Sequence, residues 1–107
     1  MTSTPKQLSG KSYYTYLLRC SNNALYCGIT NNLDRRIYQH NFTKLSAAYT
    51  RAHRPVSLVY FKKFKSRSLA QIREAQIKKL SKFQKEKLVK AMSTPASFSP
   101  KSPRNTF

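Results

Sequence analysis

The chain has 107 residues, room for one compact domain, and carries 21 Lys and Arg against 3 Asp and Glu, a formal charge of +18. An excess of that size seeks polyanions, with nucleic acid the leading partner. The only carboxylate side chains, Asp34, Glu74 and Glu86, exclude an active site built on a cluster of acids, such as a calcium cage, and leave any bound metal one or two of these residues.

Residues 1–11 are polar and read as a flexible basic arm. Tyr13 to Cys20 (YYTYLLRC) is aromatic and aliphatic, and Leu25 to Ile29 (LYCGI) follows after a short polar gap, which predicts a hairpin. A first helix runs to about Phe42, opened by Asn31 with Asp34 three residues on in the manner of a capping box. Residues 43–54 are ambiguous, with a short helix expected within Lys44 to Ala52. Val56 to Phe64 reads as a third strand entered through Pro55. Ser68 with Gln71 then opens a helix over Leu69 to Leu80, and Ser81 with Gln84 opens another from Lys82 to about Met92. From Ser93 onward Pro95, Pro100 and Pro103 stand too close for helix or sheet and predict a disordered basic tail. The order β-β-α-(α)-β-α-α predicts an α+β fold, a three-stranded antiparallel sheet flanked by helices, over residues 12–92.

Cys20 and Cys27 lie in strand-like segments without a CxxC or CxxH neighbour, so buried reduced thiols are expected. No apolar run approaches the ~20 residues of a membrane span. The expectation is a soluble cytoplasmic protein, associated with nucleic acid and not with membrane, with no obligate protein partner evident.

On the first helix, Leu33, Arg36, Ile37 and His40 fall at i, i+3, i+4 and i+7, so an arginine and a histidine share the stripe that faces the sheet. A buried arginine is costly unless paired, which places Arg36 at a cleft; His40 alone reads equally as a satisfied core histidine. Arg35 lies off the stripe, solvated or touching phosphate. Glu74 sits at the edge of the apolar face of its helix, with Lys78 at i+4 as an ordinary surface partner. Asp34 is engaged as a cap, and Glu86 stands among Lys82, Lys85, Lys87 and Lys90, so a metal-binding carboxylate would be Glu74. Of seven tyrosines, Tyr16 and Tyr26 stand on the two hairpin strands, and Gly28 leaves room for a close approach. The two rings share a face only if opposed residues have an even index sum, which requires an odd-length loop such as Asn22 to Ala24, with an Asn in the left-handed region.

The run YTYLLRCSNNALYCGITNNLDRRIYQH resembles the GIY-YIG nuclease family, and SLVYFKKFKSRSLAQIREAQIKKLSKFQKEKLV continues the likeness. The chain looks like the small stand-alone bacterial branch of that family. By this resemblance Tyr16 matches the tyrosine of the first motif, Tyr26 that of the second, Arg36 the arginine, His40 the helix histidine and Glu74 the metal-binding glutamate. The first motif reads Tyr14-Thr15-Tyr16 without its glycine, and spacing to Tyr26 favours Tyr16 over Tyr14 as the functional ring. The resemblance implies an endonuclease that hydrolyses phosphodiester bonds, DNA favoured over RNA, with one Mg²⁺ or Mn²⁺ held by Glu74. Arg35, Lys63, Lys78 and Lys82 are expected to meet the nucleic-acid backbone. The competing expectation is a non-catalytic basic DNA- or RNA-binding module on the same fold.

Overall fold

The computed structural model describes residues 12–93; the expected arm and nearly all of the expected tail lie outside them. The elements are strands β1 (Tyr13–Arg19) and β2 (Leu25–Thr30), helices α1 (Leu33–Phe42) and α2 (Ala48–Ala52), strand β3 (Ser57–Phe64), and helices α3 (Arg67–Lys78) and α4 (Lys82–Ser93). This is the expected order, an antiparallel sheet of three strands in the order β2-β1-β3. Central β1 is buried without interruption from Thr15 to Leu18 because helices cover both faces of the sheet. No helix among the described residues is long and apolar enough to cross a membrane.

Side-chain alternation along β1 divides the core in two. Leu17 packs with Cys27, Tyr60, Ile77 and Val89 beneath α3 and α4. Tyr16 and Leu18 face the other way, joining Cys20 and Val56 under Leu33 and Ile37 of α1. The buried Thr15 hydroxyl donates to the Ala70 carbonyl at 2.8 Å, fastening α3 to the central strand. Both cysteines are free and buried, as expected.

The hairpin has the required parity, because Tyr16 opposes Gly28 and Leu18 opposes Tyr26. Its loop is one residue earlier than expected. Cys20 N–H donates to the Ala24 carbonyl at 2.9 Å, which encloses Ser21, Asn22 and Asn23. Asn23 takes the left-handed conformation at φ 71°, which asparagine tolerates better than most residues.

Two helix starts differ from expectation. Asn32, not Asn31, caps α1: its Oδ1 accepts the Arg35 N–H at 3.0 Å, while exposed Asp34 stands in the first turn. Ser66 caps α3 by accepting the Leu69 N–H at 3.2 Å, so that helix starts and ends two residues earlier than expected. In both places a neighbouring residue of the same type offers an equivalent cap in sequence. The α4 cap is reciprocal as expected: Gln84 N–H donates to Ser81 Oγ at 3.1 Å and Ser81 N–H to Gln84 Oε1 at 3.0 Å.

Glu86 corrects the expectation of a carboxylate surrounded only by lysines. The Arg19 guanidinium, on β1, grips both its oxygens at 2.5 and 2.7 Å, and Lys82 Nζ adds a contact at 2.6 Å. The bidentate fork ties α4 to the central strand. Hydrogen bonds from Arg19 and then Lys82 pull the Glu86 carboxyl from 4.5 down to about 2. The unfolded chain therefore binds the extra proton between these values, so the stabilisation is complete above about pH 4.5 and lost toward pH 2. Thermal melting followed across that interval should show this loss in the native chain, and Glu86→Gln should remove it.

Candidate active site

Four of the expected site residues gather on the sheet face beneath α1. Tyr16 is 2% exposed, and its hydroxyl lies over Gly28, directly across the hairpin. A Cβ at position 28 would stand 2.6 Å from Tyr16 Oη and 2.8 Å from Cζ, so the glycine is the space the phenol occupies. Tyr16 Oη is 3.0 Å from His40 Nε2, and His40 is wholly buried. The half-buried Tyr26 presents its ring to the same imidazole, edge to face, with centroids 5.4 Å apart. Tyr14 turns instead to Phe61, at 6.1 Å. Of the two tyrosines in the first motif, Tyr16 is the one on the histidine.

Arg36 is half-buried beside Tyr16. Its Nη1 donates to Gln39 Oε1 at 2.9 Å and to the Leu45 carbonyl at 2.8 Å, fixing the guanidinium. Burial pushes the Tyr16 phenol up to about 12, with Arg36 opposing that rise. Burial also lowers His40 to about 4, helped by the positive charges of Arg36 and Arg54. The pair is therefore neutral near physiological pH, a phenol with its proton beside an uncharged imidazole.

The segment between α1 and β3, ambiguous in sequence, supplies the support for this cluster. Arg54 donates from Nε to the His40 carbonyl at 2.6 Å and from Nη2 to the Thr43 carbonyl, satisfying carbonyls at the end of α1. Asn41 exchanges two hydrogen bonds with the Val56 backbone, at 2.7 and 3.0 Å, and so anchors α1 to the entry of β3. Thr50, also wholly buried, places Oγ1 2.7 Å from His40 Nδ1. Sequence reasoning missed these three residues: Arg54 lies outside any helix, and no periodicity in α1 or in the five-residue α2 marks Asn41 or Thr50 as a clamp.

Glu74 stands across the sheet from this cluster, on α3. Its carboxylate is 22% exposed and pairs with Lys78 Nζ at 3.1 Å. Its charge acts on Cys27, which burial first and then Glu74 push up to about 11. The hydrogen bond to Glu74 raises Lys78, with weaker support from Cys27 and Tyr26. Tyr26 and Cys27 are consecutive residues of β2, an edge strand, so both layers approach one edge of the sheet. Among the described residues no three His, Cys, Asp or Glu side chains gather as metal ligands. A cation at Glu74 would take one protein carboxylate and draw its other ligands from phosphate and water, a habit of Mg²⁺.

The four expected nucleic-acid cations differ in freedom. Lys63 is exposed on β3, opposite Tyr14. Arg35 is exposed and donates to Asn31 Oδ1 at 3.0 Å. Lys78 is engaged by Glu74, and Lys82 by Glu86 and the Asn23 carbonyl. Arg73, which points to the apolar side of α3, reaches the Tyr60 hydroxyl at 3.3 Å and Gln76 Oε1 at 3.2 Å. Its Nε is the single buried side-chain polar atom without a partner among the described residues.

Two outcomes test the cluster. The unfolded chain protonates His40 near 6.5 and the fold only near 4, so stability should fall as pH is lowered between them. His40→Gln should flatten that interval of the melting profile. Gly28→Ala should lower stability by about 1–3 kcal/mol in denaturant titrations, because the new methyl displaces a buried ring.

The family model described as the GIY-YIG catalytic domain matches residues 12–87. A UPF0213 protein of Clostridium perfringens is 48% identical over 80 residues, covering 75% of this chain and 85% of the relative. One from Desulfotalea psychrophila is 46% identical over 80 residues, covering 75% of this chain and 73% of the relative. The solution structure of the UPF0213 protein BH0048 from Bacillus halodurans shares 36% identity with a TM-score of 0.52, covering 79% of this chain and 89% of that one. The motif tyrosines, the helix arginine and histidine and the α3 glutamate thus stand within the matched segment, and the chain belongs to the GIY-YIG family, among its small UPF0213 members.

Proposed function

We propose that this protein is a metal-dependent endonuclease that hydrolyses phosphodiester bonds in nucleic acid, DNA in preference to RNA. The observation that carries the reading is the convergence of Tyr16, Tyr26, Arg36 and His40 on one sheet face, with Glu74 approaching the same edge strand from the other layer. Membership of a nuclease family and a charge of +18 support it.

Roles follow from exposure and charge. Arg36 holds a permanent positive charge beside Tyr16, where it attracts the scissile phosphate and the charge that develops on it. His40 Nε2 faces the Tyr16 hydroxyl, so His40 acts through that phenol and not on water directly. As the Tyr16 phenol passes its proton to His40 Nε2, its oxygen accepts the proton of the attacking water. Tyr26, the more accessible phenol, orients that water. One Mg²⁺ or Mn²⁺ bound by Glu74 would supply electrophilic stabilisation of the phosphate and leaving oxygens. Lys63 and Arg35 track the nucleic-acid backbone from exposed positions, and Lys78 and Lys82 contribute charge at the rim.

Plasmid nicking and oligonucleotide cleavage with Mg²⁺, with Mn²⁺ and with EDTA test this directly. Glu74→Gln should reduce cleavage by at least ~10²-fold while leaving metal-free affinity unchanged or slightly tighter. Asp34→Asn is the control, since it removes one negative charge at an exposed position on α1. Glu86→Gln would not serve, because Glu86 holds α4 to β1. Affinity should fall with log salt at a slope of about −4 to −5 if some five phosphates are contacted. Retained salt-sensitive binding without metal-dependent cleavage would replace the enzyme by a binding module.

A further inference from the structure

The buried contacts around His40 have a direction that follows from proton bookkeeping. Thr50 Oγ1 lies 3.0 Å from the Ala47 carbonyl and 2.7 Å from His40 Nδ1. The single hydroxyl proton of Thr50 has two acceptors in reach, and Tyr16 decides between them. The only acceptor for the Tyr16 hydroxyl among the described residues is His40 Nε2, 3.0 Å away, so Nε2 keeps its lone pair and the Thr50 proton goes to Ala47. The Thr50 oxygen then accepts, and Nδ1 carries the proton of the neutral imidazole. Three hydrogen bonds therefore run one way, from Tyr16 to His40, to Thr50, to the Ala47 carbonyl.

We propose that Thr50 is a positioning residue for the reaction: by accepting from Nδ1 it holds His40 in the one tautomer whose Nε2 can receive the Tyr16 proton. Without that acceptor, an Nε2–H tautomer would point its hydrogen at the Tyr16 oxygen. The phenol would lose its proton acceptor and its oxygen would be occupied. Packing alone gives no reason for a hydroxyl here, since valine has nearly the same shape as threonine. The surroundings also keep the hydroxyl in place. Arg51 donates to the Lys44 and Ser46 carbonyls at 3.1 Å each, and Arg54 spans from the end of α1 to Ser46. These contacts hold α2 against the end of α1, so the Thr50–His40 distance is set by the fold.

The predicted effect on rate rests on the hydrolytic reading; the tautomer does not, and the two are measured separately. Two-bond ¹H–¹⁵N correlation spectra of the full chain, labelled at histidine and recorded near neutral pH without metal, report the imidazole directly. In the native chain His40 should show a pyrrole-like Nδ1 and a pyridine-like Nε2. Thr50→Ser should keep that pattern and Thr50→Val should lose it. Cleavage should fall about 10–100-fold in kcat with Thr50→Val, with unchanged nucleic-acid affinity, and be restored by serine. A native spectrum with Nε2 protonated, or a Thr50→Val spectrum matching the native one, overturns the proposal. If Thr50→Val does not fold, the native and serine spectra still decide it. A native chain that cleaves nothing with either metal defeats the nuclease reading and leaves the tautomer to the spectra.

Discussion

The odd loop at the tip of the first hairpin sets which side chains meet. Three residues, Ser21 to Asn23, put Tyr16 opposite Gly28 and Leu18 opposite Tyr26, so both tyrosines face α1. A two-residue turn would send them to opposite faces and separate Tyr26 from His40. The left-handed Asn23 makes the loop possible, and the missing side chain at Gly28 makes room for the ring that the register delivers there. The His40 contact, the dry environment of the phenol and its neutrality all depend on this alignment.

Charge is distributed unevenly between support and chemistry. A chain with 21 basic residues and 3 acids has few opportunities for internal ion pairs. Two of the acids are paired within the fold, Glu86 with Arg19 and Lys82, and Glu74 with Lys78. Other cations find neutral oxygen: Arg54 takes the carbonyls at the end of α1, Arg36 that of Leu45, and Arg51 those of Lys44 and Ser46. Carbonyl acceptors let the guanidinium groups keep their positive charge undiminished while holding them still. This is how a cationic fold can order its arginines without the carboxylates it lacks.

The buried cluster separates two demands. Tyr16 and His40 are buried, which keeps both neutral and strengthens their mutual hydrogen bond. Tyr26, on the edge strand, and Glu74, on α3, are only half-buried. In the proposed reaction the buried pair handles a proton and the more accessible groups meet the substrate. The proposed site thus draws on both layers of helices, which pack on opposite faces of the sheet that includes β2.

Much of this was legible in the chain itself. The alternation in YYTYLLRC, the stripe Leu33, Arg36, Ile37 and His40, and the Ser81–Gln84 box are local patterns, and the structure has β1, α1 and α4 where they indicate. The count of three carboxylates limited the metal chemistry before any fold was considered. What local pattern could not decide was choice among equivalent neighbours and contact across distance. Asn31 and Asn32, and Ser66 and Ser68, are equivalent caps by residue type, and only the folded backbone shows which one is used. Arg19 and Glu86 are 67 residues apart, and Tyr16 and His40 24, so no helical or strand period relates them. Thr50 lay in the one segment without periodicity, and its value comes from where its oxygen falls after α1 and α2 pack. Sequence determines which groups are available and on which face of their own element they stand; only folding brings those faces together and decides which hydrogen-bond partner each polar atom receives.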